Sequence, residues 1–165
     1  VVNSNYTRNL LNKISINFKN VKTIYPGINI KKNYIEENIS LNQGSPTLLT
    51  LARLEKRKGH ALILKSIMNL KKFFPDIQYI IAGEGEEIDS IKNKIKEYNL
   101  QDNVNLVGTV NENQKNYIFS NTDLMIMPTL DESSAKSIEG FGIAYIEAAN
   151  FKIPSIASVP FSTRL

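Results

Sequence analysis

A chain of 165 residues with a net charge of +4 suits one domain with a sizeable core, or one half of a larger two-domain enzyme. It has no cysteine and a single histidine, His60, which excludes a disulfide framework, a thiolate metal site, a cysteine nucleophile and any histidine-paired metal centre. The longest apolar runs, Leu48 to Ala52 and Ile77 to Ala82, are strand-sized and far below a bilayer span, so the chain reads as soluble, in keeping with a reducing, cytoplasmic setting.

In chain order, Asn3-Ser4 is placed to cap a helix from about Tyr6 to Ile14, Val21 to Tyr25 reads as a strand, and Pro26-Gly27 as a turn. Lys31 to Ser45 is polar and rich in asparagine, the composition of a linker or of a loop laid over the surface. From position 46 strands and helices alternate. Pro46 to Arg53 is an apolar run, and Gly59 to Phe74 has helical spacing through Leu62, Ile63, Ile67 and Leu70, stopped by Pro75-Asp76. Ile77 to Ala82 is a buried strand, Glu86 to Tyr98 an amphipathic helix, Val104 to Val107 a strand and Glu112 to Ser120 a short helix. Asp123 to Met127 is a further strand, Gly142 to Asn150 a helix too apolar to face water on more than a narrow stripe, and Ile153 to Ala157 the last strand.

Strands that are apolar on both faces and separated by helices predict an α/β fold with a doubly wound parallel sheet. Residues 1–45 stand apart from this series, so the chain divides at 45/46. It lacks an initial methionine and stops just after a strand, which reads as part of a longer protein, truncated at its C-terminal side. The lysines from Lys56 to Lys72 and Lys92 to Lys96 read as solvated helix faces, with attraction to anionic lipid or another acidic partner as the alternative.

Ligands of open parallel sheets sit beyond the carboxyl ends of the strands. After the first strand, Arg53 to Gly59 places guanidinium and ammonium groups where a diphosphate could be clamped, although a basic surface loop has the same composition. Gly83-Glu84-Gly85 starts like a dinucleotide fingerprint but has Ile88 where the third glycine belongs, which leaves a tight turn allowing close approach by a ligand or a neighbouring backbone. Gly108-Thr109-Val110 offers main-chain groups to a base edge or serves as a plain turn. His60 is a packing or capping residue, and Asp131 to Ile138 a solvated loop or a lid.

The sharpest feature is Glu139 to Glu147, two carboxylates eight positions apart that bracket the Gly140-Phe141-Gly142 turn at the start of an apolar helix. Unpaired N–H groups and the helix dipole there favour a phosphate. Glu139 is placed to accept from sugar hydroxyls, and Glu147, set among Ile146, Ala148 and Ala149, needs donors that a ribose diol would supply. Alternatively, Glu139 merely neutralises the helix terminus and Glu147 pairs with a local cation.

Together these segments resemble the donor-binding half of a retaining GT-B glycosyltransferase of family 4, the group that includes bacterial phosphatidylinositol mannosyltransferases. Ser4-Asn5-Tyr6-Thr7-Arg8 and Ile24-Tyr25-Pro26-Gly27-Ile28 are similar to the end of the acceptor domain and the interdomain connection. Ala52-Arg53-Leu54 with Lys58-Gly59 resembles the phosphate-binding stretch, and Ala82 to Gly85, Val107 to Val110 and Met127-Pro128-Thr129 fall in family order. Glu139 to Glu147 is similar to the Glu-x7-Glu motif in its Gly-Phe-Gly form. The family's Gly-Gly turn after the last strand is replaced by Ser158-Val159-Pro160-Phe161.

The resemblance implies a Rossmann-like nucleotide-sugar domain at 46–165, preceded at 1–45 by the end of an acceptor domain. Arg53, Lys58 and Glu139 would be the catalytic set. Gly83, Gly108, Val110, Gly140, Phe141, Gly142 and Ile143 would line the donor site, with Glu147 on the ribose. It further implies transfer of a hexose to a glycan or lipid-linked acceptor, no cofactor, no metal, no nucleic-acid partner and peripheral contact with the inner face of the membrane. A sugar-nucleotide epimerase of the same architecture and a noncatalytic nucleotide-binding scaffold are the alternatives.

Overall fold

The computed structural model describes residues 1–13, 20–28, 35–130 and 141–158. Five strands, β1 (Thr47–Leu51), β2 (Gln78–Ala82), β3 (Val104–Gly108), β4 (Leu124–Met127) and β5 (Ser155–Ala157), form one sheet in the order β3-β2-β1-β4-β5. Every pairing is parallel, with Leu49 opposite Ile80, Leu48 opposite Leu124, Ile81 opposite Leu106 and Ile126 opposite Ile156. Parallel neighbours require crossover connections, and these are supplied by α2 (His60–Leu70), α3 (Ile88–Glu97), α4 (Glu112–Ser120) and α5 (Ile143–Asn150). The doubly wound parallel sheet expected from the sequence is therefore the observed fold.

Each face of the sheet has its own core. On one side, Ile63, Leu64 and Ile67 of α2 and Ile91 and Ile95 of α3 pack with Leu48, Tyr79 and Ile81. On the other, Ile118 and Phe119 of α4 and Ala148 of α5 pack with Leu49, Ile80, Met125 and Met127. Alternation along each strand sends successive side chains to opposite cores, which is why β2 is buried at all five positions. Phe119 also stacks on Phe151, with ring centroids 5.0 Å apart, joining α4 to the end of α5.

The element ends have local causes. Ser4 caps α1 (Asn5–Lys13), accepting from the Thr7 N–H at 3.1 Å, where the Asn3-Ser4 signal placed the cap. Helix α2 stops at Leu70 rather than Phe74 because Pro75 disfavours helical geometry just ahead of it, and residues 71–73 form a turn instead. A capping box fixes the start of α4: the Asn111 side chain accepts from the Gln114 N–H while the Gln114 side chain accepts from the Asn111 N–H.

Two expectations are corrected, and a third is resolved between its alternatives. Val21 to Tyr25 forms no strand but a single parallel bridge, Thr23 with Val2, because among the described residues its backbone pairs only with the short N-terminal segment, and Ile24 and Tyr25 stay exposed. Of the two readings of the stretch before β1, linker or surface loop, residues 35–45 take the second. They form an extended strap bound to α4 and to the start of β3: Glu37 accepts from Asn111 and Gln114, Asn116 donates to the Ile35 carbonyl, and the Asn42 N–H donates to Asn105 at 2.7 Å. Helix α5 is less covered than its composition suggests. Only Ala148 is fully buried and Ile143 is exposed, since α5 lies over the β5 edge, where no further element packs among the described residues.

The buried side of α2 sets a test of this packing. Leu64 is fully buried and Leu62, two residues away, is half exposed. Leu64→Ala should lower the unfolding free energy by about 3 kcal/mol and Leu62→Ala by less than about 0.5 kcal/mol, read from urea midpoints.

Candidate functional site

The two faces of the sheet part company between β1 and β4. The chain leaving β1 turns to α2 on one face and the chain after β4 leads to α5 on the other, which makes the carboxyl ends of those two strands the switch point at which ligands of such sheets bind. The segments that border it are the basic loop after β1 and the start of α5.

The basic loop is short and braced. Lys56–Lys58 makes one 3-10 turn closed by Gly59 in the left-handed region (φ 70°), and Gly59 then starts α2 by accepting from Leu62 and Ile63. A side chain at Gly59 would come within 2.8 Å of the Pro128 carbonyl, so this glycine lets the β1 loop lie against the loop after β4. Leu130 N–H donates to the Arg57 carbonyl at 2.7 Å and fixes the same contact. Glu55 pairs with Arg57 at 2.7 Å and with Arg53 at 3.5 Å, yet the Arg53 side chain remains 82% exposed at the rim. Lys58 is buried.

Gly83 and Gly85 are explained by the neighbouring backbone. A Cβ at Gly83 (φ 142°) would lie 2.0 Å from the Ala52 carbonyl oxygen, and one at Gly85 2.6 Å from that of Leu54. The turn packs edge-on against the chain carrying Arg53, through Leu54 N–H to Glu84 carbonyl and Glu87 N–H to Leu54 carbonyl bonds. Gly108 differs. Its φ of 69° demands glycine, but beyond the missing Cβ there is open space, the nearest atom being Glu84 Oε1 at 3.8 Å, and Val110 beside it is half-buried. The Gly108 carbonyl accepts from Gly83 N–H at 2.8 Å, so the turns after β1, β2 and β3 form one continuous rim.

At α5, Gly142 takes the N-cap position in the left-handed region (φ 77°), and no side chain caps the helix. A Cβ there would strike the Tyr145 ring, whose hydroxyl donates to the Met127 carbonyl at 2.7 Å and ties the helix to the end of β4. Phe141 contacts Tyr25 of the connecting segment, with centroids 6.0 Å apart. The first N–H groups of the helix donate to no side-chain cap among the described residues, which suits an anion site. Glu139 and Gly140 lie outside the described residues, as does the Asp131 to Ile138 segment.

Glu147 has found the local cation. Lys115 of α4 donates to its Oε1 at 2.6 Å and to Glu112 at 2.8 Å, with Lys115 and Glu147 side chains 17% and 21% exposed. Burial alone would lower the Lys115 pKa, but the bonds from both carboxylates outweigh it and raise it. Nothing in the sequence marked Lys115. Three residues after Glu112 on a helix it reads as a solvated surface pair, and its second partner lies 32 positions further on.

His60 is likewise more than a cap. It is buried beneath the basic loop, with Nε2 3.4 Å from the Arg53 carbonyl and Nδ1 facing the Tyr79 hydroxyl at 3.5 Å. Tyr79 donates in turn to Thr50 at 2.9 Å, and Thr50 to the Ile126 carbonyl, so a polar chain runs from the Arg53 main chain through the core to β4. Burial holds the His60 pKa below its ordinary value, with Lys58 acting in the same direction and the Arg53 carbonyl and Glu87 opposing.

A family profile described as glycosyl transferases group 1 matches residues 31–164. The chain belongs to that family. Over 112 residues it is 23% identical to a GDP-mannose-dependent α-(1-6)-phosphatidylinositol monomannoside mannosyltransferase of Mycolicibacterium smegmatis, a match covering 68% of this chain and 29% of the relative. The chain thus spans less than a third of that relative's length. In fold it is similar to Anabaena HepE, solved with UDP and glucose, at a TM-score of 0.75 and 18% identity over 96% of this chain and 44% of that one. It also resembles the pneumococcal O-GlcNAc transferase GtfA, solved with UDP and GlcNAc, at a TM-score of 0.67 and 21% identity over 97% and 30% of the two chains. These neighbours have the GT-B fold. No helix among the described residues is long and apolar enough to cross a membrane.

The His60 environment predicts an acid sensitivity. Because the folded-state pKa lies below 6.5, the unfolded chain binds the extra proton first, so the stability tied to neutral His60 is complete above about pH 6.5 and falls as pH drops below it. Thermal unfolding between pH 7.5 and 5.5 should show a smaller acid-induced loss for His60→Gln than for the parent chain; equal losses would remove His60 as the cause.

Proposed function

We propose that this chain is the donor-binding half of a retaining, metal-independent hexosyltransferase that uses a nucleoside-diphosphate sugar. The observation that carries the reading is the polarity of the groups at the carboxyl ends of the strands. The loop after β1 is cationic, through Arg53 and Lys58, no side chain among the described residues caps the start of α5, and Glu147 and Glu112 flank Lys115 between α4 and α5. A nucleotide sugar has the complementary order, with a doubly charged diphosphate between two neutral polyols.

In this reading Arg53, Lys58 and the amides at Gly140 to Ile143 hold the diphosphate, Glu139 takes the transferred sugar and Glu147 the ribose. The rim at Gly83, Gly108 and Val110 lies along the base and sugar, with the open space at Gly108 leaving room for the ligand. As the glycosidic bond breaks, negative charge builds on the departing diphosphate, and fixed cations beside a helix terminus stabilise that charge more in the transition state than in the ground state. The acceptor, a glycan or lipid-linked sugar, would be held by the remainder of the protein, in the cytoplasm or at the inner membrane face. The UDP in the solved neighbours and the GDP-mannose of the mannosyltransferase support a nucleoside-diphosphate sugar as the class of donor.

Calorimetry on the full-length protein tests this. A nucleoside diphosphate should bind, and Arg53→Ala, Lys58→Ala and Glu147→Ala should each weaken it about tenfold or more, roughly 1.4 kcal/mol. Arg53→Ala is the cleanest of the three, because the exposed Arg53 side chain can be removed without disturbing the core. Failure of every nucleoside diphosphate to bind at millimolar concentration would sink the reading.

A further inference from the structure

Resting on that donor-site reading, we infer that Lys115 is a positioning residue for the nucleoside end of the donor: it aims the Glu147 carboxylate at a ribose diol and supplies a matching N–H donor beside it. Lys115 and Glu147 stand together in the wall of a hollow of about 330 Å³ between α4 and α5, closed at one side by Gly27 and lined also by Asn116, Ile143 and Phe151. That is within the size range of small-ligand sites.

The hydrogen-bond count makes the case. An ammonium has three N–H donors, and here one goes to Glu147 Oε1 at 2.6 Å and one to Glu112 Oε1 at 2.8 Å, which leaves the third. Among the described residues only Lys115 meets the Glu147 carboxylate, so Oε2 keeps its acceptor capacity. A vicinal diol has two hydroxyls, each both donor and acceptor, and the pair offers it an acceptor oxygen and an N–H side by side.

Charge points to the same occupant. Glu112 and Glu147 outnumber Lys115, so this corner has a net charge of −1 and repels a phosphate while accepting from neutral hydroxyls. The diphosphate is thereby confined to the Arg53 side, and the nucleotide has one orientation at the switch point. Glu112, with its side chain 72% exposed, acts as an outer brace that keeps the ammonium over α4.

A single glutamate on an eight-residue helix has several rotamers, and a diol needs one of them. Lys115, itself 17% exposed and held at two points, removes that freedom before the ligand arrives. Loss of Lys115 therefore costs discrimination at the ribose more than it costs the hold on the diphosphate.

The experiment compares UDP, GDP and ADP with their 2′-deoxy counterparts by calorimetry on the full-length protein, parent and Lys115→Met. The parent should prefer the ribonucleotide of its preferred base about tenfold. Lys115→Met should reduce that preference to within about twofold, with the affinity for the deoxynucleotide little changed. Lys115→Gln keeps an N–H donor toward Glu147 and should restore part of the preference; it also serves as the test should Lys115→Met fail to fold. Parent protein that binds nucleotide, with an unchanged ribose preference in the variant that folds, would overturn the role of Lys115 alone. Parent protein that binds none of the three diphosphates would overturn the donor-site reading, and this inference with it.

Discussion

Burial of a parallel sheet on both faces is the constraint from which the rest of this molecule follows. With no water to satisfy either face, the strands must be largely apolar, their buried Thr50, Gln78 and Asn105 each hydrogen-bonded, and the crossovers must supply two separate covers, α2 with α3 and α4 with α5. Between β1 and β4 these covers diverge, and the chain leaves the two adjacent strands toward opposite faces. The rim there is held by hydrogen bonds between turns, Leu130 to Arg57 joining the loops after β4 and β1 and Gly83 to Gly108 those after β2 and β3.

The glycines show how closely that rim is built. Gly83 and Gly85 are there so that one turn can lie flat against another, whereas Gly108 and Gly142 supply backbone conformations that a side chain would strain. Both uses are structural in the first instance. Their joint effect is a wall of main-chain atoms with few side chains in front of it, the surface against which a polar, multiply charged ligand is best held.

Much of this was legible in the residues alone. Short apolar runs and helical spacing in 46–157 announced every strand and α-helix of the sheet, because those elements owe their positions to buried apolar side chains. The capping signal at Ser4 was equally plain, whereas the capping box at Asn111 and Gln114 went unread. What could not be read were polar contacts between residues far apart in sequence: Lys115 with Glu147, His60 with the Arg53 carbonyl and Tyr79, and the strap residues with α4. Such pairs leave no period behind them. For Glu147 the sequence could say that its carboxylate needed donors but not which ones, and of the two partners considered, the cation is seen in the structure while the diol belongs to the proposal. The Val21 to Tyr25 segment failed for the opposite reason, since β-forming residues make a strand only where a sheet edge receives them.

The strap at 35–45 gives the molecule a mechanical property. Its anchor points, Ile35 and Glu37, are fastened to Asn111, Gln114 and Asn116 on the very helix that carries Lys115. Tension arriving from the preceding residues is thus delivered to α4 through side-chain amides before it can reach the sheet. Whatever the preceding residues pull against, α4 and with it the Lys115–Glu147 pair lie on the line of that load.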